Sequence, residues 1–214
     1  MTIRAVVFDI GGILEITPRH DDPTADFPAL HAAWDARLNM ARGELDRRMQ
    51  ELDARLQRMG KDGAIGTCTE QEWLAELPRA TDMTSEQLDA YIRDFWDVYC
   101  GQPNDELIAY FRNLRPRYQT ALLSNSFVGA RREEQQRYHF DEITNLIIYS
   151  HEVGMAKPDP RIFALTCQRL CVQPAEMVFL DDSAQHVAAA RELGIHAILF
   201  RDNAQAIADI QACL

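Results

Sequence analysis

Four places in the 214-residue chain carry side chains that could do chemistry together. Asp9 precedes Gly11-Gly12, Ser124 is followed by Asn125, Lys157 lies in Gly154-Met155-Ala156-Lys157-Pro158-Asp159-Pro160, and Asp181 is paired with Asp182. Each alone suits a plain role: Asp before glycines forms turns, Ser-Asn or Asp-Asp-Ser caps a following helix, and a lysine is usually solvated. As a set they are a carboxylate, a hydroxyl, an ammonium and a carboxylate pair, which are the parts phosphoryl transfer needs. Asp9 can attack phosphorus, while Ser124 and Lys157 can neutralise the non-bridging oxygens as charge redistributes. Asp182 can hold Mg²⁺ together with Asp9, because that ion favours oxygen ligands and bridges a few carboxylates to a phosphate.

These residues must be brought together by elements far apart in sequence. Ile3 to Asp9 is a short apolar, β-branched run that ends at Asp9, as a strand buried on both faces reads. Gln119 to Leu123 ends at Ser124, Leu146 to Ser150 follows a helical stretch, Met177 to Leu180 ends at Asp181-Asp182, and Ile195 to Phe200 closes the pattern. Amphipathic stretches at Phe127 to Arg137, Asp159 to Leu170, Ser183 to Leu193 and Asn203 to Cys213 alternate with these runs. That alternation predicts an α/β fold with a Rossmann-like parallel sheet, whose ligands bind beyond the carboxyl ends of the strands. Asp9 and Ser124 are 115 positions apart, whereas a βαβ crossover takes roughly 30 residues, so a unit is inserted between them. Its pattern is helical: a long stretch from Pro28-Ala29-Leu30 to about Met59, a Gly60 to Gly66 break, a second helix from near Thr69 and a third from near Thr84. Thr84 and Gln87 have capping-box spacing, and Gly101 marks the stop. The expected division is therefore an α/β core at residues 1–16 and 103–214 and a helical insertion at 17–102.

Composition narrows the function. Lys plus Arg number 22 against 33 Asp plus Glu, a net charge of −11, which repels phosphate polyanions and anionic lipid; nucleic-acid and membrane partners are disfavoured. No segment reaches the ~18 uninterrupted apolar residues of a membrane span, and the N-terminal apolar run stops at Asp9, too short for a signal-peptide core. Five cysteines without framework spacing fit free thiols. A cytoplasmic location is the expectation.

On specific residues the chain resembles the haloacid dehalogenase superfamily. Val6-Val7-Phe8-Asp9-Ile10-Gly11-Gly12 is similar to its first motif, Leu122-Leu123-Ser124-Asn125 to its second, Gly154 to Phe163 to its third, and Val178-Phe179-Leu180-Asp181-Asp182-Ser183 to its fourth. The resemblance implies a phosphatase-type member with a helical cap between motifs one and two. It makes Asp9 the nucleophile, the Gly11 carbonyl and Asp182 ligands of Mg²⁺ with Asp9, and Ser124, Asn125 and Lys157 the phosphate-binding set. The expected substrate is a small phosphorylated metabolite, such as a sugar phosphate.

The sequence departs from the family at two positions. Gly11 stands where the phosphatases usually carry a second Asp, which protonates the leaving oxygen and activates water, a contribution of roughly 10²- to 10⁴-fold. His186 stands where Asn or Asp is commoner after the acidic pair. Glu15 is the nearest carboxylate in sequence that could replace the missing acid, and Arg19-His20-Asp21-Asp22 could reach the site from the flap or cap entrance. Cys167 and Cys171 have helical spacing but lack further ligands for a tetrahedral metal site and read as buried thiols. Trp34, Trp73, Phe95 and Trp96 read as packing in the cap. Two alternative functions stay open: a metal-independent 2-haloacid dehalogenase, which position 11 disfavours because it lacks the usual aromatic, and a degenerate phosphate-binding or interaction protein, which Gly11 favours. Cap side chains carry no code for the substrate, and oligomeric state is not written in the sequence.

Overall fold

The computed structural model describes residues 2–16 and 27–214. In chain order the strands are β1 (Ala5–Phe8), β2 (Glu15–Ile16), β3 (Gln102–Pro103), β4 (Gln119–Ser124), β5 (Leu146–Tyr149), β6 (Met177–Asp181) and β7 (His196–Leu199). The helices are α1 (Phe27–Arg37), α2 (Glu44–Arg58), α3 (Glu70–Thr81), α4 (Ser85–Cys100), α5 (Asp105–Asn113), α6 (Ala130–Tyr138), α7 (Phe140–Ile143), α8 (Ser150–Val153), α9 (Pro160–Leu170), α10 (Ala184–Glu192) and α11 (Asn203–Cys213). Five strands form a parallel sheet in the order β5-β4-β1-β6-β7, with every pairing parallel.

The sheet is buried on both faces, which is why its strands read as unbroken apolar runs. All four residues of β1 have no solvent exposure. Alternation assigns them to opposite faces: Val6 and Phe8 pack with Leu107, Phe111 and Ile210, whereas Ala5 and Val7 pack with Ile162, Phe163 and Val187. Register then sets the site. Phe8 lies opposite both Leu122 of β4 and Leu180 of β6, so the residues that follow these three strands emerge side by side at one sheet edge. β1 stands between strands that come later in the chain, a point where loops part and leave a crevice.

Helices α1 to α4 have a hydrophobic cluster of their own, including Trp34, Leu45, Leu52, Trp73, Leu77 and Tyr91. The stretch from Pro28 to Met59 is two helices rather than one continuous run. The chain reverses between Arg37 and Glu44, where Asn39 has φ 53° and Gly43 has φ 82°. Buried Asp35 fixes that turn, its carboxylate accepting from the Gly43 and Leu45 amides at 2.5 and 2.8 Å. Helix-forming composition concealed the break because the cap comes from a side chain eight residues upstream. α3 and α4 begin at Thr69 and Thr84 with complete capping boxes, and Gly101 caps α4. The short antiparallel pair β2–β3 ties the chain where it leaves the core to where it returns. Trp34, Trp73 and Trp96 are buried, and no helix among the described residues is long and apolar enough to cross a membrane. All five cysteines are unpaired; Cys167 is buried, but Cys171 is exposed because it ends α9 in a left-handed turn.

Candidate active site

Asp9 follows β1 directly and is held at both ends. Its amide donates to the Leu180 carbonyl at 2.9 Å, and its Oδ1 accepts from the Ile10 amide at 2.8 Å. The chain then winds into a tight turn in which the Ile10 carbonyl accepts from Leu14 and Glu15 at 2.8 and 3.0 Å. Gly12 is required there twice over: its φ is +75°, and a Cβ would lie 2.3 Å from Oδ2 of Asp182. The space a side chain would fill is occupied by the Asp182 carboxylate, which brings it onto the loop after Asp9.

Lys157 joins the carboxylates. Its Nζ is 2.7 Å from Asp9 Oδ1 and 2.7 Å from Asp181 Oδ2, and its side chain is wholly buried. The Asn125 amide clasps the Lys157 backbone: Nδ2 donates to the Lys157 carbonyl at 2.8 Å, and Oδ1 accepts from its N–H at 2.7 Å. Both polar atoms of Asn125 are thus engaged on Lys157, which gives this residue a supporting place. Ser124, the last residue of β4, is buried at the same sheet edge.

The acidic pair divides its work. Asp181 Oδ1 accepts from the Ser183 amide at 2.8 Å and meets His186 Nδ1 at 3.0 Å, while Oδ2 takes Lys157. Burial pushes the Asp181 carboxyl up, but these hydrogen bonds and the lysine charge outweigh it and hold the group at about 2. Asp9 goes the other way: burial, with the Asp181 charge, raises it to about 7 against the pull of Lys157. Burial raises Asp182 as well. Three carboxylates thus face one ammonium. Ligand atoms of Asp9, Asp181 and His186 lie within 4.8 Å of one another, and the carboxylate of Asp182 lies over Gly12 on the loop after Asp9. This surplus of negative charge and oxygen donors fits a divalent cation such as Mg²⁺. Asp181 is engaged by Lys157, Ser183 and His186, whereas among the described residues the Asp182 carboxylate accepts from its own N–H.

Sequence reading missed the anchoring part of Asp181 and His186, for which the Asp-Asp doublet was the only signal, and missed Glu134 altogether. Glu134 is buried on α6 and accepts from the Tyr149 hydroxyl at 2.5 Å. Glu15 is buried too, and its Oε1 has no partner among the described residues. Burial, then the Glu134 and Asp9 charges, raises the Glu15 carboxyl well above its usual range; burial chiefly raises Glu134 to about 8. Arg19, His20, Asp21 and Asp22 lie outside the described residues.

With this geometry in hand, comparison with known proteins is decisive at the level of family: residues 3–194 match the model for haloacid dehalogenase-like hydrolases. The chain belongs to that family. This HAD-like chain is 26% identical to bifunctional epoxide hydrolase 2 of Sus scrofa over 236 residues, covering 99% of this chain and 39% of that protein. It therefore spans about two fifths of that relative. It is 28% identical to a phosphatase of Mycobacterium tuberculosis over 203 residues, covering 93% of this chain and 88% of that one. Among solved structures, an HAD family enzyme of Bacteroides thetaiotaomicron in complex with magnesium and inorganic phosphate superposes with a TM-score of 0.67 at 20% identity, covering 93% of this chain and 94% of that one. Solved 2-haloacid dehalogenases share the fold, so the fold alone does not choose between the two chemistries.

Proposed function

We propose that this HAD-like chain is a Mg²⁺-dependent phosphatase that removes phosphate from a small phosphorylated metabolite through a phosphoryl group carried on Asp9. The observation that carries the reading is the Asp9–Lys157–Asp181 chain at 2.7 Å per link, with the Asp182 carboxylate seated over Gly12. The curated phosphatase matched over 88% of its length supports it.

Asp9 Oδ1 is engaged by Ile10 and Lys157, which leaves Oδ2 to attack. The Oδ2–P bond forms as the bond from phosphorus to the leaving oxygen breaks, and that oxygen departs with the electron pair. Lys157 and Ser124 meet the non-bridging oxygens, and water then cleaves the aspartyl-phosphate to regenerate Asp9 and release phosphate. Asp181 stays ionised and fixes the ammonium in place. Asp9, the Gly11 carbonyl and Asp182 would hold Mg²⁺, which supplies charge neutralisation and alignment of the phosphoryl group. Residue 11 supplies no proton, so the leaving oxygen departs with its charge met by other means.

The helical insertion acts as the cap in this reading. Asp9 is 7% exposed with the insertion packed on the core, which suits small metabolites and excludes folded phosphoproteins and polynucleotides. Cytoplasmic location belongs to the same reading, supported by five unpaired cysteines.

The test is phosphate release from an aryl phosphate with and without Mg²⁺, beside halide release from a 2-haloacid without metal. Phosphate release that depends on Mg²⁺ supports the proposal. Metal-independent halide release would assign the chain to the dehalogenases, and silence in both assays with retained phosphate binding would make it a binding protein.

A further inference from the structure

The loop that follows β4 carries Ser124 and Asn125, and it is tied to the helical insertion through a third party. Ser150, fully buried where β5 passes into α8, accepts from the Ser126 amide at 2.9 Å and donates to the Ala64 carbonyl of the insertion at 2.6 Å. A hydroxyl has one proton to give, and the alternative acceptor, the Ser126 carbonyl, is farther at 3.3 Å. The next residue repeats the arrangement. His151 Nδ1 lies 2.7 Å from Ser126 Oγ, while its carbonyl packs so closely on Gly66 of the insertion that a Cβ there would sit 1.9 Å away. Ser150 and His151 thus touch the Ser124 loop at two points and the insertion at two points.

The loop has a second tie to the insertion. The Phe127 amide donates to the Tyr99 hydroxyl of α4 at 3.0 Å, and the Phe127 ring packs edge-on against Trp73 of α3. The amides of residues 126 and 127 therefore both end on hydroxyls whose placement depends on the insertion being seated. Neither hydroxyl comes from the phosphate-binding set itself.

We propose that Ser150 and His151 are positioning residues that relay the seating of the helical insertion to the phosphate-binding loop, so that Ser124 is correctly placed only when Ala64 and Gly66 are docked. When the insertion lifts, the Ser150 hydroxyl loses the Ala64 acceptor that fixes its rotamer, and with it the orientation in which its oxygen receives the Ser126 amide. Phosphate affinity thereby becomes a property of the docked state. The ligand part of this inference rests on the phosphatase reading; the coupling part does not.

The experiment uses Gly66→Ala, which separates the insertion from His151 by steric force, and Ser150→Ala, which removes the hydroxyl and takes the partner from the Ser126 amide and the Ala64 carbonyl. Amide hydrogen exchange of residues 124–128 is measured in the ligand-free protein, and inorganic phosphate binding is measured by calorimetry with Mg²⁺. Faster exchange in that loop, by about tenfold, and phosphate binding weakened by about tenfold are expected in both variants. Inorganic phosphate carries no organic leaving group for the insertion to grip, so an insertion that serves only to bind that part of a substrate would leave its affinity unchanged. Loop exchange equal to wild type in Gly66→Ala overturns the relay whatever the ligand. Accelerated loop exchange in the two variants, beside a wild-type protein that does not bind phosphate, keeps the relay and removes the phosphatase reading. If Gly66→Ala fails to fold, Ser150→Ala carries the same two readouts, and an unchanged loop there overturns the relay equally.

Discussion

Replacing Gly11 with Asp should give this chain the acid/base that its first motif lacks. The structure sets the cost. Gly11 is exposed, its φ is outside the left-handed region, and a Cβ built on it meets nothing within 4 Å. The backbone therefore accepts a side chain without strain, and loss of glycine from the unfolded ensemble stabilises by about 0.4–1 kcal/mol. The opposing term is a fourth carboxylate near Asp9, Asp181 and Asp182, which Mg²⁺ would screen. On the catalytic side a positioned proton donor contributes roughly 10²- to 10⁴-fold, and it matters most where the leaving oxygen is basic. Wild type should thus hydrolyse aryl, acyl and anomeric sugar phosphates far faster than glycerol phosphate. In Gly11→Asp the alkyl substrate should gain about 10²-fold or more in kcat/KM, while the aryl substrate gains less than about tenfold. The assay is a plot of log kcat/KM against leaving-group pKa for both proteins, which should be steep in wild type and shallow in the variant. A flat wild-type plot, with no gain on any substrate in folded Gly11→Asp, would refute the reasoning, because the proton would then come from another group, with buried Glu15 the first to replace by Gln. Gly12→Ala is the contrasting control: at φ +75° with Asp182 Oδ2 at 2.3 Å, it should lose activity on every substrate.

Asp182→Ala should raise the Mg²⁺ concentration for half-maximal activity by about tenfold or more, with partial rescue at high metal; a titration superimposing on wild type would show that Asp182 is not a ligand. Asp9→Asn should cost more than about 10³-fold in turnover without lowering the melting temperature, because the amide keeps the Lys157 contact and relieves a buried carboxylate that burial has raised to about 7; a residual rate above a tenth of wild type would contradict the covalent step. Glu134 is raised to about 8 in the folded protein, above its unfolded value, with Glu15 raised in the same direction. The native state then holds more protons than the unfolded state between the unfolded pKa and about 8, so stability should fall as pH rises across that window. Denaturation midpoints at pH 5 and pH 9 should show the fall in wild type and a smaller one in Glu134→Gln, and an equal pH slope in the variant would contradict the assignment.

Legibility followed the kind of interaction. The five strands were readable because burial on both faces leaves unbroken apolar runs, and the capping boxes at Thr69 and Thr84 were readable because both partners lie within one turn. The break between α1 and α2 was not, since Asp35 caps across eight residues of helix-forming sequence. Asp9, Ser124, Lys157 and the acidic pair were expected at one sheet edge, and they lie there. Which carboxylate holds which partner was hidden: Asp181 and Asp182 are adjacent in sequence, but the strand directs the first at Lys157 and the turn sends the second over Gly12. Asn125 entered the phosphate-binding set through the motif resemblance; its amide also clasps the Lys157 backbone, 32 positions away, which no local pattern announces. Glu134 gave no signal, because a glutamate on a helix usually faces water, and only the packing of α6 on β5 brings it to Tyr149.

The covalent step on Asp9 is the centre of the account, and acid quenching during turnover tests it most directly. Wild type mixed with an aryl phosphate and Mg²⁺, quenched within the first turnovers and digested, should yield the Asp9 peptide carrying one phosphoryl group, absent in Asp9→Asn and absent without metal. Sustained phosphate release with the Asp9 peptide unmodified at every quench time, or with the phosphoryl group on another residue, would contradict it.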